Sequence, residues 1–282
     1  MSIDALFPRA VTAIEAGDVP ELERLLSAHP ELVRERLESP GTWLRESVGD
    51  ALEGYFRHPY LLWFIAENPI RTGRVPANIA DVTRALVAAA NRERVDTLQE
   101  QLDYALELVC TGRIVRELGF QIQLIDLLVD AGANPGSGYG ALANRNLAAA
   151  QRLIERGGEP TLAAALCLGR TDDVTRLARV ASAEDRQIAL TAAALNGNAE
   201  ALRTLVGLEV DVKAYSLVIH PHATPLHHAV WSGSLDAVKV LVEAGADLTL
   251  RDKVYHSTPL GWAEYAGRDE IAAYLMKEGS PT

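Results

Sequence analysis

The 282-residue sequence predicts an all-α protein, a solenoid of about eight stacked helix pairs joined by short hairpin fingers. Three observations carry that expectation. The hexapeptides Thr224-Pro225-Leu226-His227-His228-Ala229 and Thr258-Pro259-Leu260-Gly261-Trp262-Ala263 begin 34 residues apart (258 − 224). A glycine follows each at the same distance, Gly233 and Gly267, and a leucine follows each glycine eight residues on, Leu241 and Leu275. The same glycine-to-leucine spacing recurs upstream at Gly17/Leu25, Gly169/Leu177 and Gly197/Leu205. Self-similarity at such a period marks a repeat architecture.

Within one unit each residue has a physical reason. Proline suits the first turn of a helix, where its missing N–H has no partner to lose, and the preceding threonine can cap the exposed N–H groups. Gly233 ends a short first helix because glycine takes the left-handed conformation without strain. Ser234 can cap the second helix, and Val238, Leu241 and Val242 line one face of it. Ala244-Gly245-Ala246-Asp247 then stops that helix and opens a finger. Four of the five glycine units place an acid at plus three (Asp172, Glu200, Asp236, Glu270), where negative charge suits the helix dipole. In the first unit Asp18 and Glu21 have capping-box spacing instead.

This unit resembles the ankyrin repeat, whose period is about 33 residues and whose signature is T-P-L-H-x-A. The resemblance is strong over residues 189–279 and decays upstream, as in a bacterial-type ankyrin protein with degenerate N-terminal repeats. A further unit is visible at Leu142–Gly157, with Arg145 in the glycine slot. Another ends at Leu127–Asn134. One more starts at His58-Pro59-Tyr60-Leu61, with Asn78–Ala90 as its second helix. The organisation expected is one solenoid domain over 1–282. It comprises a degenerate repeat at 1–37, an insertion loop at 38–57, degenerate repeats at 58–188, and regular repeats with a C-terminal cap at 189–282. Thr111–Gly119 is expected to lengthen the first helix of the third pair.

Composition narrows the function classes. A net charge of −11 with scattered positives argues against nucleic acid, which needs clustered Lys and Arg. No apolar run approaches 18 residues and no charged-then-apolar leader begins the chain, so no membrane partner or secretion signal is expected. Arginine-rich, alanine-rich composition suggests a bacterial source. Cys110 and Cys167 read as buried thiols in a reducing cytoplasm.

Five histidines, His220, His222, His227, His228 and His256, fall close together in sequence. Without a Cys pair or an HExxH they suggest repeat architecture rather than a metal site. Gly136-Ser137-Gly138-Tyr139-Gly140-Ala141 matches a dinucleotide fingerprint in letters, but it follows a helix stop where that motif needs a strand. No cofactor is expected.

The resemblance implies binding through finger tips and the residues just before the mid-repeat glycine. These are Lys253, Val254, Tyr255, His256 and Ser257, with Trp231-Ser232, Tyr265-Ala266 and Leu195-Asn196 on the concave face. Tyr215, His220 and His222 belong to a finger two residues longer than its successor (224 − 211 = 13 steps against 258 − 247 = 11). Trp231, Tyr255 and Tyr265 are residue types that dominate interface energetics. The expected function is a non-catalytic interaction module for a protein partner with a neutral or basic surface. The alternative is a cofactor-independent enzyme or small-molecule binder in the degenerate half. Its pocket would use Tyr55, Arg57, His58, Trp63, Glu67, Tyr104 and Glu107, with His58 and Glu67 as acid–base partners.

Overall fold

The computed structural model describes residues 3–279 and is all helical, with no strand among the described residues. The chain divides into two compact units, Met1–Gly136 with Arg152–Gly158, and Ser137–Gln151 with Glu159–Thr282.

In the first unit α1 (Ile3–Ala16) pairs with α2 (Val19–Ala28), and α3 (Glu31–Arg34) follows. Gly17 at φ +69 makes the turn between α1 and α2, and Asp18 caps α2 through the Glu21 N–H at 3.0 Å. Residues 38–57 are not a bare loop. They hold α4 (Gly41–Val48) and a 3-10 turn (Gly49–Leu52), with Phe56 fully buried. The second pair matches a 3-10 helix, Leu61–Ala66, with α5 (Ile79–Arg92). The third pair is α6 (Leu98–Thr111) and α8 (Gln121–Asp130). Thr111–Gly119 does not lengthen α6. Gly112 turns extended and a separate α7 (Arg113–Glu117) follows; the turn is tight enough that a Cβ at Gly112 would lie 3.1 Å from both the Ala66 and Leu108 carbonyl oxygens.

In the second unit five pairs succeed one another. They are α9 (Tyr139–Ala143) with α10 (Leu147–Glu155, whose last residues group with the first unit), and α11 (Leu162–Cys167) with α12 (Thr171–Ala178). Next come α13 (Ala183–Leu195) with α14 (Ala199–Val206), α15 (Pro225–Ser232) with α16 (Leu235–Glu243), and α17 (Pro259–Tyr265) with α18 (Asp269–Lys277). First helices α11, α13, α15 and α17 stack in order, and so do second helices α14, α16 and α18. Short alanine-rich helices allow this close approach, with Ala163–Ala165, Ala192–Ala194 and Ala229 buried between neighbours. Gly169, Gly197, Gly233 and Gly267 all have φ between +62 and +83, and Arg145 occupies the equivalent slot at φ +56. The caps close as the residue types require. Thr161, Asn198, Ser234 and Thr258 each accept a backbone N–H of the first helical turn.

Candidate functional site: an aromatic and imidazole pocket in the second unit

Leu195, Trp231 and Tyr265 each stand two residues before a mid-repeat glycine, so three successive first helices present them at one register. His228 and Trp262 are a second register pair, one position after His227 and its equivalent Gly261. Where the earlier hexapeptide has His227 the later one has Gly261, and the Ser257 hydroxyl occupies the space a side chain there would need. A Cβ there would come within 2.3 Å of Ser257 Oγ. These positions, with His220, His222, Tyr255 and Ser257, line a cavity of about 560 Å³.

Two adjacent fingers supply the remaining wall. His222 lies with its ring 6.0 Å from Trp262 and 6.4 Å from Tyr255. Trp231 and Trp262 meet at 6.1 Å and 77°. The finger of Tyr255 is built around Asp252, which is only 1% exposed. Its carboxylate accepts the N–H groups of Val254 (2.9 Å), Tyr255 (2.6 Å) and Ser257 (3.0 Å), and the Trp262 indole N–H at 3.0 Å. Desolvation alone would raise its pKa, but those four donors outweigh it and hold the carboxyl down to about 2. The two fingers are tied by the Lys253 N–H donating to the His222 carbonyl at 2.7 Å and by the Tyr215 hydroxyl donating to the Arg251 carbonyl at 2.6 Å.

The histidines divide into two kinds. His227 is fully buried. Its Nδ1 faces the Thr224 hydroxyl at 2.8 Å and its Nε2 meets the Ser257 carbonyl of the next finger at 3.0 Å, so it links repeats. His228 is 2% exposed, its Nε2 lies 3.1 Å from Ser216 Oγ, and burial pushes its pKa down to about 3. His220 adopts φ +45 and its Nε2 lies 3.2 Å from the Ala143 carbonyl. His256 is exposed and outside the cavity lining. Among the described residues no group of three or more His, Cys, Asp or Glu is arranged to hold a metal ion.

The sequence-predicted contact residues therefore separate. Trp231, Tyr255, Tyr265, His220 and His222 converge on the cavity. Lys253 and Tyr215 lie beside it, the ammonium 4.3 Å above the phenol ring, and Val254 projects into solvent. Ser232 is occupied by its own helix end. Its hydroxyl donates to the Ala229 carbonyl at 2.6 Å and accepts the Ser234 N–H at 3.1 Å. Trp262 was the residue that sequence reasoning missed as a lining group. Its register equivalence with His228 was the available signal.

The alternative set in the first unit is differently disposed. Trp63 is 4% exposed, packed against Tyr104 at 4.4 Å, Tyr60 at 5.4 Å and Phe56 at 6.2 Å. Trp63 and Glu67 do not share a helix face, because the 3-10 helix ends at Ala66 and Glu67 takes φ +48. Glu67 is not available as an acid–base group. At 2% exposure one of its oxygens accepts the N–H groups of Arg71, Thr72 and Gly73, and the other faces the buried Arg71 guanidinium at 3.0 Å. His58 faces Glu38 at 3.1 Å rather than Glu67. Tyr104 donates its hydroxyl to the Tyr55 carbonyl, while the side chains of Tyr55, Arg57 and Glu107 are exposed. The glycine-rich 136–141 segment is a finger turn, with Gly138 at φ +72 against Ala150 and no strand before it.

A family model described as ankyrin repeats (3 copies) matches residues 139–252. Protein phosphatase 1 regulatory subunit 27 from Homo sapiens is 43% identical over 77 residues, 27% of this chain and 49% of that protein. Ankyrin repeat and SAM domain-containing protein 6 from Rattus norvegicus is 40% identical over 70 residues, 25% of this chain and 8% of that protein. The chain thus matches about half the length or less of these curated relatives. These matches and the stacked helix pairs support an ankyrin-repeat family, with ankyrin repeats over residues 139–252. No described helix is long and apolar enough to cross a membrane.

Proposed function

We propose that this protein is a non-catalytic interaction module that holds a protein partner on the aromatic pocket and finger tips of its second unit. The observation that carries the reading is the grouping of Trp231, Tyr255 and Tyr265, respectively 42%, 72% and 87% exposed, around one cavity. Large aromatic groups left in water at a concave site are the surface an interface consumes. Ankyrin repeats and the likeness to a phosphatase regulatory subunit support an interaction role. With a net charge of −11, the partner is one of neutral or basic surface. Buried thiols at Cys110 and Cys167, both pushed up to about 12 by burial, suit a reducing cytoplasm. Affinity capture with the wild-type chain and with Trp231→Ala, read by mass spectrometry, tests the reading. A partner retained by the first and lost by the second supports it, and identical capture by both overturns it.

A further inference from the structure

We propose that the pocket bounded by Trp231, Trp262, His222 and Tyr255 receives one neutral aromatic side chain bearing a hydrogen-bond donor, a tryptophan indole, from the protein partner. This rests on the interaction reading above and names the group that would enter.

The lining contains no Asp, Glu, Lys or Arg. A charged head entering it would give up hydration with no opposite charge to replace the loss. Among neutral groups, ring geometry selects a planar one. Trp231 stands at 77° to Trp262, and His222 at 84° to Tyr255, with centroids 6.1 and 6.4 Å apart. A flat ring laid against one wall of such a corner presents its edge to the other. Offset-stacked and edge-to-face contacts are the two arrangements aromatic quadrupoles favour. An aliphatic side chain would fill space without them. The cavity, about 560 Å³, is within the range that holds ligands of this kind.

A donor is selected by His222. Its ring is half-buried in the lining, and neither ring nitrogen has a hydrogen-bond partner among the described residues. A neutral imidazole carries one acceptor nitrogen and one N–H, and the N–H can point at the π face of an aromatic ring. An indole N–H can satisfy the acceptor, whereas a phenyl ring would cover it and leave it unpaired. The neighbouring fingers expose Leu217, Val218 and Val254, so residues flanking the indole would be apolar.

The test is calorimetric titration of the full chain with N-acetyl-tryptophanamide, its 1-methylindole counterpart, N-acetyl-phenylalaninamide, N-acetyl-lysinamide and free indole. The tryptophan amide should bind, with the methylated and phenylalanine forms weaker by about fivefold, the effect of one net hydrogen bond. Trp231→Ala should weaken the tryptophan amide at least about tenfold, and Tyr265→Ala, at an exposed site, serves as a second variant. His222→Phe should abolish the discrimination between indole and methylindole while keeping the phenylalanine amide. Equal binding of the methylated form, preference for the lysine amide, or no binding of any amide overturns the proposal. Free indole binding tenfold tighter than the amide assigns the pocket to a small molecule and also overturns it. Loss of the aromatic anchor by these results leaves the capture experiment with Trp231→Ala to decide the interaction reading separately.

Discussion

The Trp262 indole N–H donates to the Asp252 carboxylate at 3.0 Å, fixing a first helix to the finger that precedes it. Because the same carboxylate receives three backbone N–H groups, one side chain sets both the position of a pocket wall and the shape of the Tyr255 finger.

Asp252→Ala would leave those donors without an acceptor, and we expect a loss of about 3 kcal/mol in urea unfolding. Asp252→Asn keeps one acceptor oxygen and should lose clearly less. Equal stability of Asp252→Ala and wild type would show that water replaces the carboxylate.

Trp231→Ala and Tyr265→Ala remove exposed area rather than core. Each should change unfolding free energy by about 1 kcal/mol or less while reducing partner binding at least about tenfold. Unfolding of either variant would place its ring in the packing of the solenoid instead.

Acid stability depends on His228. Its pKa falls from 6.5 to about 3 on folding, because burial penalises the imidazolium and neighbouring His220, His227 and His222 add to the effect. Burial lowers His227 as well. Between the two His228 values the unfolded chain binds a proton that the folded chain refuses. Stability is therefore present above 6.5 and declines as pH falls toward 3, at about 1.4 kcal/mol per pH unit for this group. Urea unfolding at pH 7.5, 6.0 and 5.0 measures the slope (chosen pH values, roughly spanning the window). His228→Gln should reduce it, and an unchanged slope would exclude His228 as its source.

Gly17 and Gly169 share a left-handed backbone but differ in surroundings. A Cβ on Gly17 would approach Asn78 Oδ1 to 2.2 Å and Pro76 Cβ to 2.9 Å, whereas one on Gly169 meets nothing within 4 Å. Asn78 also donates to the Gly17 carbonyl at 2.8 Å, so the clash strikes the link between α2 and α5. We expect Gly17→Ala to cost about 3 kcal/mol and Gly169→Ala about 1 kcal/mol in thermal or urea unfolding. Equal costs would mean that Asn78 moves aside freely.

Much of the candidate site was legible before any coordinates. Trp231 and Tyr265 follow from counting back two residues from Gly233 and Gly267, and Tyr255 from its place in the last finger. Trp262 was missed, although the same counting places it one repeat beyond His228. The degenerate half was harder. There Tyr55, His58, Trp63 and Glu67 suggested chemistry by residue type, but Glu67 is held by the 71–73 backbone and Arg71, and Trp63 by Tyr104 and Phe56.

The sequence by itself determined the repeat, its period, its caps and its left-handed turns, because each depends on residues within a few positions of one another. Tertiary structure alone decided that α6 ends at Gly112, that Glu67 is spent on its own loop, and that Gly261 and Trp262 line one cavity. Those outcomes depend on which atoms meet across tens of residues, and hydrophobic period and local propensity carry no information about such meetings.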